Sequence, residues 1–397
     1  MPLARPLAVA ALFFAPTAAL AAPVPGLPGD LTVETRLRTE TVLQDGATHD
    51  AQALTLRTRL GWISPEAGGL SFLVEGVNVT ALRDDYADTV TPNPGYPAVA
   101  DPELTRLNRL QVSLRRPGVE AVAGRQRLVL GNARFVGNSG WRQNEQTFDA
   151  VKLTAAPRDG LTLTYAYARR VHRPGGPDHP LGEWKGDLNL FHADLKLHGG
   201  TLSGYGVLID LEALPAQSSR TWGARWSGAR PARGATLVYE LEYARQSDFG
   251  ANTARFDLDY RLASAGLKTR TAAISVAYER LEGDGVHGFQ TPLASGHGFQ
   301  GWSDVIAATP GFGVRDLFVR VQASAPTGLK APLKLTVEAH DFRDSAGAFQ
   351  VGRELDAAAQ LPLGRRWTAE LKAARFDGAR AGYPDTTKTW LSLEYRY

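Results

Sequence analysis

The chain has 397 residues, no cysteine, 44 Lys and Arg against 41 Asp and Glu, and a formal charge of +3. Without thiols there are no disulfides and no thiolate metal centres, and so small a charge, with no basic block, argues against nucleic acid as a partner. Mean hydropathy is −0.22, and past the N-terminus no run approaches the roughly 18 apolar residues that a spanning helix needs.

Residues 1–21 read as a cleaved secretory signal. Arg5 supplies the charged start, Leu7 to Phe14 the apolar core, and Ala19-Leu20-Ala21 an A-x-A cleavage site. Beyond it Gly and Pro are dispersed and never pool into a linker, so residues 22–397 are expected to form one domain.

From Asp30 onward apolar and polar residues alternate, which places them on opposite faces of strands. Leu31, Val33 and Leu37 oppose Thr32, Glu34, Arg36, Arg38 and Glu40; Leu54, Leu56, Leu60 and Trp62 oppose Thr55, Arg57 and Arg59. Leu110, Val112 and Leu114 oppose Arg109, Gln111, Ser113 and Arg115, and Phe256, Leu258, Tyr260 and Leu262 oppose Arg255, Asp257, Asp259 and Arg261. Segments bounded by turn residues number about eighteen, each of roughly ten residues, as in transmembrane barrels. They start near Asp30, Ala51, Leu70, Glu103, Gly118, Glu145, Gly160, Asp187, Thr201 and Arg220. The rest start near Gly234, Ala254, Leu267, Val314, Leu329, Ala348, Arg365 and Thr386. Tight turns at 65–69, 116–118, 157–160 and 198–200 contrast with long connections at 84–102, 131–144, 171–186 and 283–313. The last segment, Thr386 to Tyr397, ends on an aromatic, like the strand signal that the outer-membrane insertion machinery reads.

A soluble β-sandwich would alternate too. The secretory signal, the dense Arg, Asp and Glu on the polar faces, and aromatics near segment ends favour an all-β, closed antiparallel transmembrane barrel in the bacterial outer membrane. Its partners would be the lipid bilayer and the insertion machinery. The polar-phase arginines Arg36, Arg38, Arg57, Arg59, Arg109, Arg115, Arg255, Arg261 and Arg320 would then line the lumen. Guanidinium groups offer planar, bidentate sites to carboxylates, so this set could conduct anions; it could equally be a ladder of cross-strand ion pairs. Arg125 joins the pore-lining set, although a bulge near Gly124 would turn it outward.

The segment Gly124 to Val151 (GRQRLVLGNARFVGNSGWRQNEQTFDAV) carries a loop rich in Gly, Asn, Arg and aromatics, and Gly298 to Arg320 holds a Gly-Trp-Ser-Asp core. Both stretches resemble the signature motifs of the alginate-export family of outer-membrane barrels. The resemblance implies a passive channel for an anionic polysaccharide or its oligomers, with a general small-solute porin as the alternative. It also implies a pore-narrowing loop, in which Arg134 and Arg142 either line the constriction or anchor the loop to carboxylates such as Glu145 and Asp149.

No Walker loop, dinucleotide fingerprint or zinc spacing is present, so no cofactor and no catalysis are expected. A barrel hydrolase would need a Ser–His pair, and His192 near Asp194 is the closest approach. Asp84, Asp85 and Asp88 could hold Ca²⁺ through oxygen ligands, or be a hydrated loop.

Overall fold

The computed structural model describes residues 22–24, 26–328 and 331–397, so the secretory-signal reading lies outside the described residues. A short strand β1 (Ala22–Val24) folds back on β2 (Leu27–Gln44). There follow β3 (Ala51–Ile63), β4 (Leu70–Asp85), β5 (Leu104–Arg116), β6 (Val119–Gln126), β7 (Thr147–Arg158), β8 (Leu161–His172) and β9 (Glu183–Leu197). Next come β10 (Gly200–Leu211), β11 (Ser219–Ala232), β12 (Ala235–Asp248), β13 (Asp257–Lys268) and β14 (Ala272–Leu281). The chain finishes with β15 (Val314–Ala325), β16 (Leu333–Arg343), β17 (Gln350–Pro362), β18 (Trp367–Gly378) and β19 (Thr386–Arg396).

From β2 to β19 each strand pairs antiparallel with the next, and β19 returns to β2 in the register Leu393↔Leu37. The eighteen strands therefore form a closed barrel, which leaves no unpaired edge. Strand starts inferred from the sequence differ most at β9, β14 and β16, which begin at Glu183, Ala272 and Leu333. Short turns such as 117–118, 159–160, 198–199 and 233–234 lie on one rim with the chain's first strand start, and the long connections, including 86–103, 127–146 and 282–313, on the other.

The outer wall is apolar. Leu60, Phe72, Leu110, Val151, Leu241, Leu355, Leu371 and Leu391 all present their side chains outward, each more than half exposed. A continuous belt of this kind is stable only against lipid. Trp222 near one rim and Trp367, 4.9 Å from Tyr395 near the other, suit the water–lipid boundary.

The interior divides in two. Along β2–β6 and β15–β19 the inward phase carries Arg36, Arg38, Arg57, Glu75, Asp316, Glu338 and Lys372, all buried. Along β7–β14 it carries Phe148, Val171, Leu188, Leu190, Val207, Leu258 and Tyr260, which pack on Leu128, Phe135, Val136, Phe289 and Leu293 from two inward-folded loops. This apolar wedge overturns the phase expected for β13. Leu258 and Tyr260 face the lumen, whereas Arg261 is exposed and pairs with Asp259 at 2.9 Å on the outer side. Arg255 precedes the strand altogether and pairs with Asp248 at 2.8 Å. Alternation marks two faces, and where the inside is dry the charged face is the outer one.

Candidate functional site

The connections 127–146 and 282–313, which carry the two motif-like stretches, fold into the barrel and meet. Val136 bridges Leu293 in parallel, Gly137 N–H donates to the Leu293 carbonyl at 2.8 Å, and Ser139 N–H donates to Ser295 Oγ at 3.1 Å. Left-handed backbone at Gly131, Ala133 and Ser139 supplies the reversals that keep the first loop compact.

The first loop spans the lumen. On one side Glu145 Oε1 accepts from Asn108 Nδ2 on β5 at 2.6 Å. On the other, Arg134 Nε donates to Glu279 on β14 at 2.7 Å, half the ring away. Arg134 also donates to Thr291 Oγ1 and Gln300 Oε1, and its guanidinium covers the Phe299 ring at 4.6 Å. It is fully buried and anchors the loop.

Between these ends β2 holds the loop by its backbone. Arg36 Nε donates to Gln143 Oε1 at 2.9 Å, and its Nη2 to the carbonyls of Trp141 (2.8 Å) and Arg142 (2.6 Å). Arg38 donates to the Trp141 carbonyl and, at 3.3 Å, to Asp101, which also accepts from Gln143 N–H. Charged donors on carbonyls are among the stronger hydrogen bonds, at about 1.5–3 kcal/mol each.

The second loop is tied to β17 and β18. Ser303 Oγ donates to Glu354 at 2.6 Å, and Trp302 N–H to Asp356 at 3.3 Å. Lys372 is caged by Trp302 (3.7 Å) and Trp141 (4.2 Å). Its Nζ donates to His297 Nε2 at 2.6 Å, so His297 Nδ1–H faces Asp304 at 3.1 Å, and Arg142 pairs with Asp304 at 2.6 Å. His297 stacks on Trp141 with centroids 4.2 Å apart. Burial, together with the Lys372 charge, pushes the imidazole down to about 3, so it is neutral in this chain of contacts. Burial alone would raise the Asp304 carboxyl, but the His297 ring and Arg142 hold it below the usual range.

The remaining arginines form a cationic patch on β3–β5. Arg57 reaches Glu34 and, at 3.1 Å, Glu394; Arg59 lies 3.1 Å from Glu34 and 3.7 Å from Glu145. Arg109 grips Glu75 at 2.5 and 2.9 Å, and loop Arg127 grips Glu145 at 2.6 Å. Burial would raise the Glu145 carboxyl, yet Arg127 and Arg59 hold it well below its ordinary value. The Arg57 Nε, Arg106 Nε, and Arg59 Nε and Nη2 groups are buried without an acceptor among the described residues. Buried donors of this kind call for water or an anion.

The other inferred positions divide. Arg320, inward, binds Glu338 at 2.7 and 2.9 Å, and Arg115, at the short-turn rim, binds Glu120 at 2.9 Å. Arg125 is a correction: β6 continues in register through Gly124, and Arg125, the partner of the outward Leu110, falls on the outward phase, 2.8 Å from Asp149. Asp149 is engaged there by Arg125, His172 (3.0 Å) and Arg170 (3.8 Å), so it does not anchor the loop arginines. Glu145 does fasten the loop, through Asn108 and Arg59. The anchors of Arg134 and Arg142 are instead Glu279 and Asp304, which lie far from them along the chain and carry no local signal of the contact. Ser203 donates to Asp194 at 2.5 Å while His192 stands 3.6 Å from the same carboxylate, an arrangement without a nucleophile–base bond. In the 84–88 segment Asp85 pairs with Arg83, and Asp88 accepts from Val90 and Thr91 N–H.

No protein-family model matches the chain, and no curated protein matches it significantly. Solved structures do. Acinetobacter baumannii OccAB2 superposes with a TM-score of 0.72 at 16% identity, over 92% of this chain and 98% of that one. Pseudomonas aeruginosa OccK9 (OpdG) gives 0.71 at 16%, with the same coverage. Pseudomonas aeruginosa OpdK, solved with vanillate, gives 0.70 at 15%, again over 92% and 98%. These likenesses establish the fold: a closed eighteen-stranded antiparallel barrel, shared with outer-membrane porins.

Proposed function

We propose that the chain is a passive channel of the bacterial outer membrane that conducts small hydrophilic anions along the charged half of its lumen. The observation that carries this reading is the patch on β3–β5 beside the two stitched loops, where Nε of Arg57, Arg59 and Arg106 and Nη2 of Arg59 are buried and make no hydrogen bond among the described residues. A carboxylate passing there would find planar donors already held in place by Glu34, Glu394 and Glu145. The apolar outer belt and the barrel's likeness to solved porins support integral insertion. OpdK's structure contains vanillate, whose one carboxylate is of the class proposed.

The alginate-export resemblance of the two loops would call for a polysaccharide. Loops fastened across the lumen from β5 to β14 and again to β17 stand in the way of a continuous polymer, which favours single small solutes. Planar-bilayer recording in a salt gradient tests the proposal. A reversal potential on the anion side is expected, with conductance reduced by millimolar aromatic or aliphatic carboxylates. A cation-selective channel, or a barrel without conductance, would overturn it.

A further inference from the structure

Three side chains on adjacent strands converge on one point of the inner wall. His340 and Glu338 lie two residues apart on β16, and Asp356 is the register partner of Glu338 on β17. All three are buried. His340 Nε2 stands 3.5 Å from Glu338 Oε2 and 3.6 Å from Asp356 Oδ2. Neither contact is a well-formed hydrogen bond, and His340 Nε2 and Asp356 Oδ1 are both buried without a hydrogen-bond partner among the described residues. We propose that His340 Nε2, Glu338 and Asp356 form a binding site for a zinc-class dication in the barrel wall.

The spacing fits such an ion. Ligands about 2.0–2.2 Å from a tetrahedral zinc are roughly 3.3–3.6 Å from one another, which is the separation of the imidazole nitrogen from each carboxylate oxygen here. The three donor atoms lie within 4.8 Å of one another. The surrounding shell is also that of a metal centre. His340 Nδ1 faces Asp316 at 2.9 Å, so a carboxylate fixes the tautomer that leaves Nε2 free for the ion. Arg320 binds Glu338 at 2.7 and 2.9 Å, orienting it, and each carboxylate oxygen keeps a further lone pair for the ion. Phe318 stacks on the imidazole at 4.9 Å and Phe342 at 5.2 Å, fixing the ring plane. One imidazole with two carboxylates suits zinc better than calcium or magnesium, which take oxygen ligands in larger number or octahedral order.

The site also touches the constriction. Asp356 accepts from Trp302 N–H at the tip of the second loop, so a bound ion would join the wall to that loop. Three protein ligands leave a fourth position for water or a solute carboxylate.

Titrating the detergent-solubilised full-length barrel with ZnCl₂ tests this, read by calorimetry and by X-ray absorption at the zinc edge. One ion per barrel is expected, with one nitrogen and two carboxylate donors from the protein. His340→Gln should abolish that site. Asp316→Asn, which keeps size and touches no ion, should weaken binding about 10–100-fold. Heat-modified mobility on gels confirms that each variant folds. Absence of saturable binding to the folded parent, or binding unchanged in the folded His340→Gln barrel, would overturn the proposal. Zinc bound elsewhere leaves edge spectra unaltered by that substitution and counts against it equally. The proposal stands apart from anion conduction, which is read in zinc-free electrolyte.

Discussion

The two halves of the lumen hold the same pair of loops by opposite means. On the β7–β14 side Phe135, Val136, Phe289 and Leu293 are buried among apolar wall residues, and Phe135 packs edge-on against Tyr260 with centroids 5.3 Å apart. On the β2–β6 and β15–β19 side the loops are hung from Arg36, Arg38, Glu354 and Lys372 by directed polar contacts. Apolar packing fills its side of the lumen around the Arg134–Glu279 pair. The polar side keeps its charge on the β2–β6 and β15–β19 wall, so the conduction proposed above would run off the barrel axis. An ordinary β-barrel channel need not be symmetric inside to be regular outside.

This contrast can be broken from either side. Phe135→Ala removes the wedge's central ring and should cost about 3–5 kcal/mol; open-channel current noise should rise sharply, and the unfolding midpoint should fall. Arg57→Gln, Arg59→Gln and Arg109→Gln together remove one contact to Glu145 but leave Asn108, Arg36, Arg38 and Arg134 to seat the loops, and should lower the anion-to-cation permeability ratio. At about 1 kcal/mol per lost charge near water, the reduction is about fivefold for each. Unchanged reversal potentials in the triple variant would remove these arginines from the permeation route.

Smaller effects sharpen the comparison. A double-mutant cycle on Arg142→Ala and Asp304→Ala should give a coupling of about 0.5–3 kcal/mol in loop docking, measured by chemical denaturation. His297 offers a pH test. Its value falls from 6.5 to about 3 when the loop is docked, so docking releases protons. The stabilisation is complete above pH 6.5 and is lost as pH falls toward 3. Current noise should grow over that window, and His297→Gln should flatten the dependence. Arg261→Gln, on the outer side, should change stability by less than about 0.5 kcal/mol and leave selectivity as it was.

The barrel was legible in the sequence because strand alternation records two environments. Leu110 against Arg109 and Leu391 against Trp390 and Lys388 follow the rule directly. At β13 the same rule gave the wrong face, since Leu258 and Tyr260 answer to an apolar wedge brought by residues 128–136 and 289–293, and no local pattern announces that. Arg125 faces outward by plain alternation, because β6 runs in unbroken register through Gly124 and pairs Arg125 with the outward Leu110. Both loops could be singled out by their Arg, Trp and Asp content. Their mutual contacts could not, because Trp141 and His297 are separated by eight strands, β7 to β14. The His340 cluster is hidden for a related reason: its companions are two residues away on β16 and across the β16–β17 pair, a spacing that matches no metal motif along the chain.

A passage bounded by the apolar wedge and loops on one side and the arginine-bearing wall on the other would be narrow in one direction. A flat molecule can turn its edge to such a slit, and a branched one of equal mass cannot. Sieving in this barrel is therefore expected to sort solutes by thickness, and permeation of planar and branched acids of matched size would reveal it.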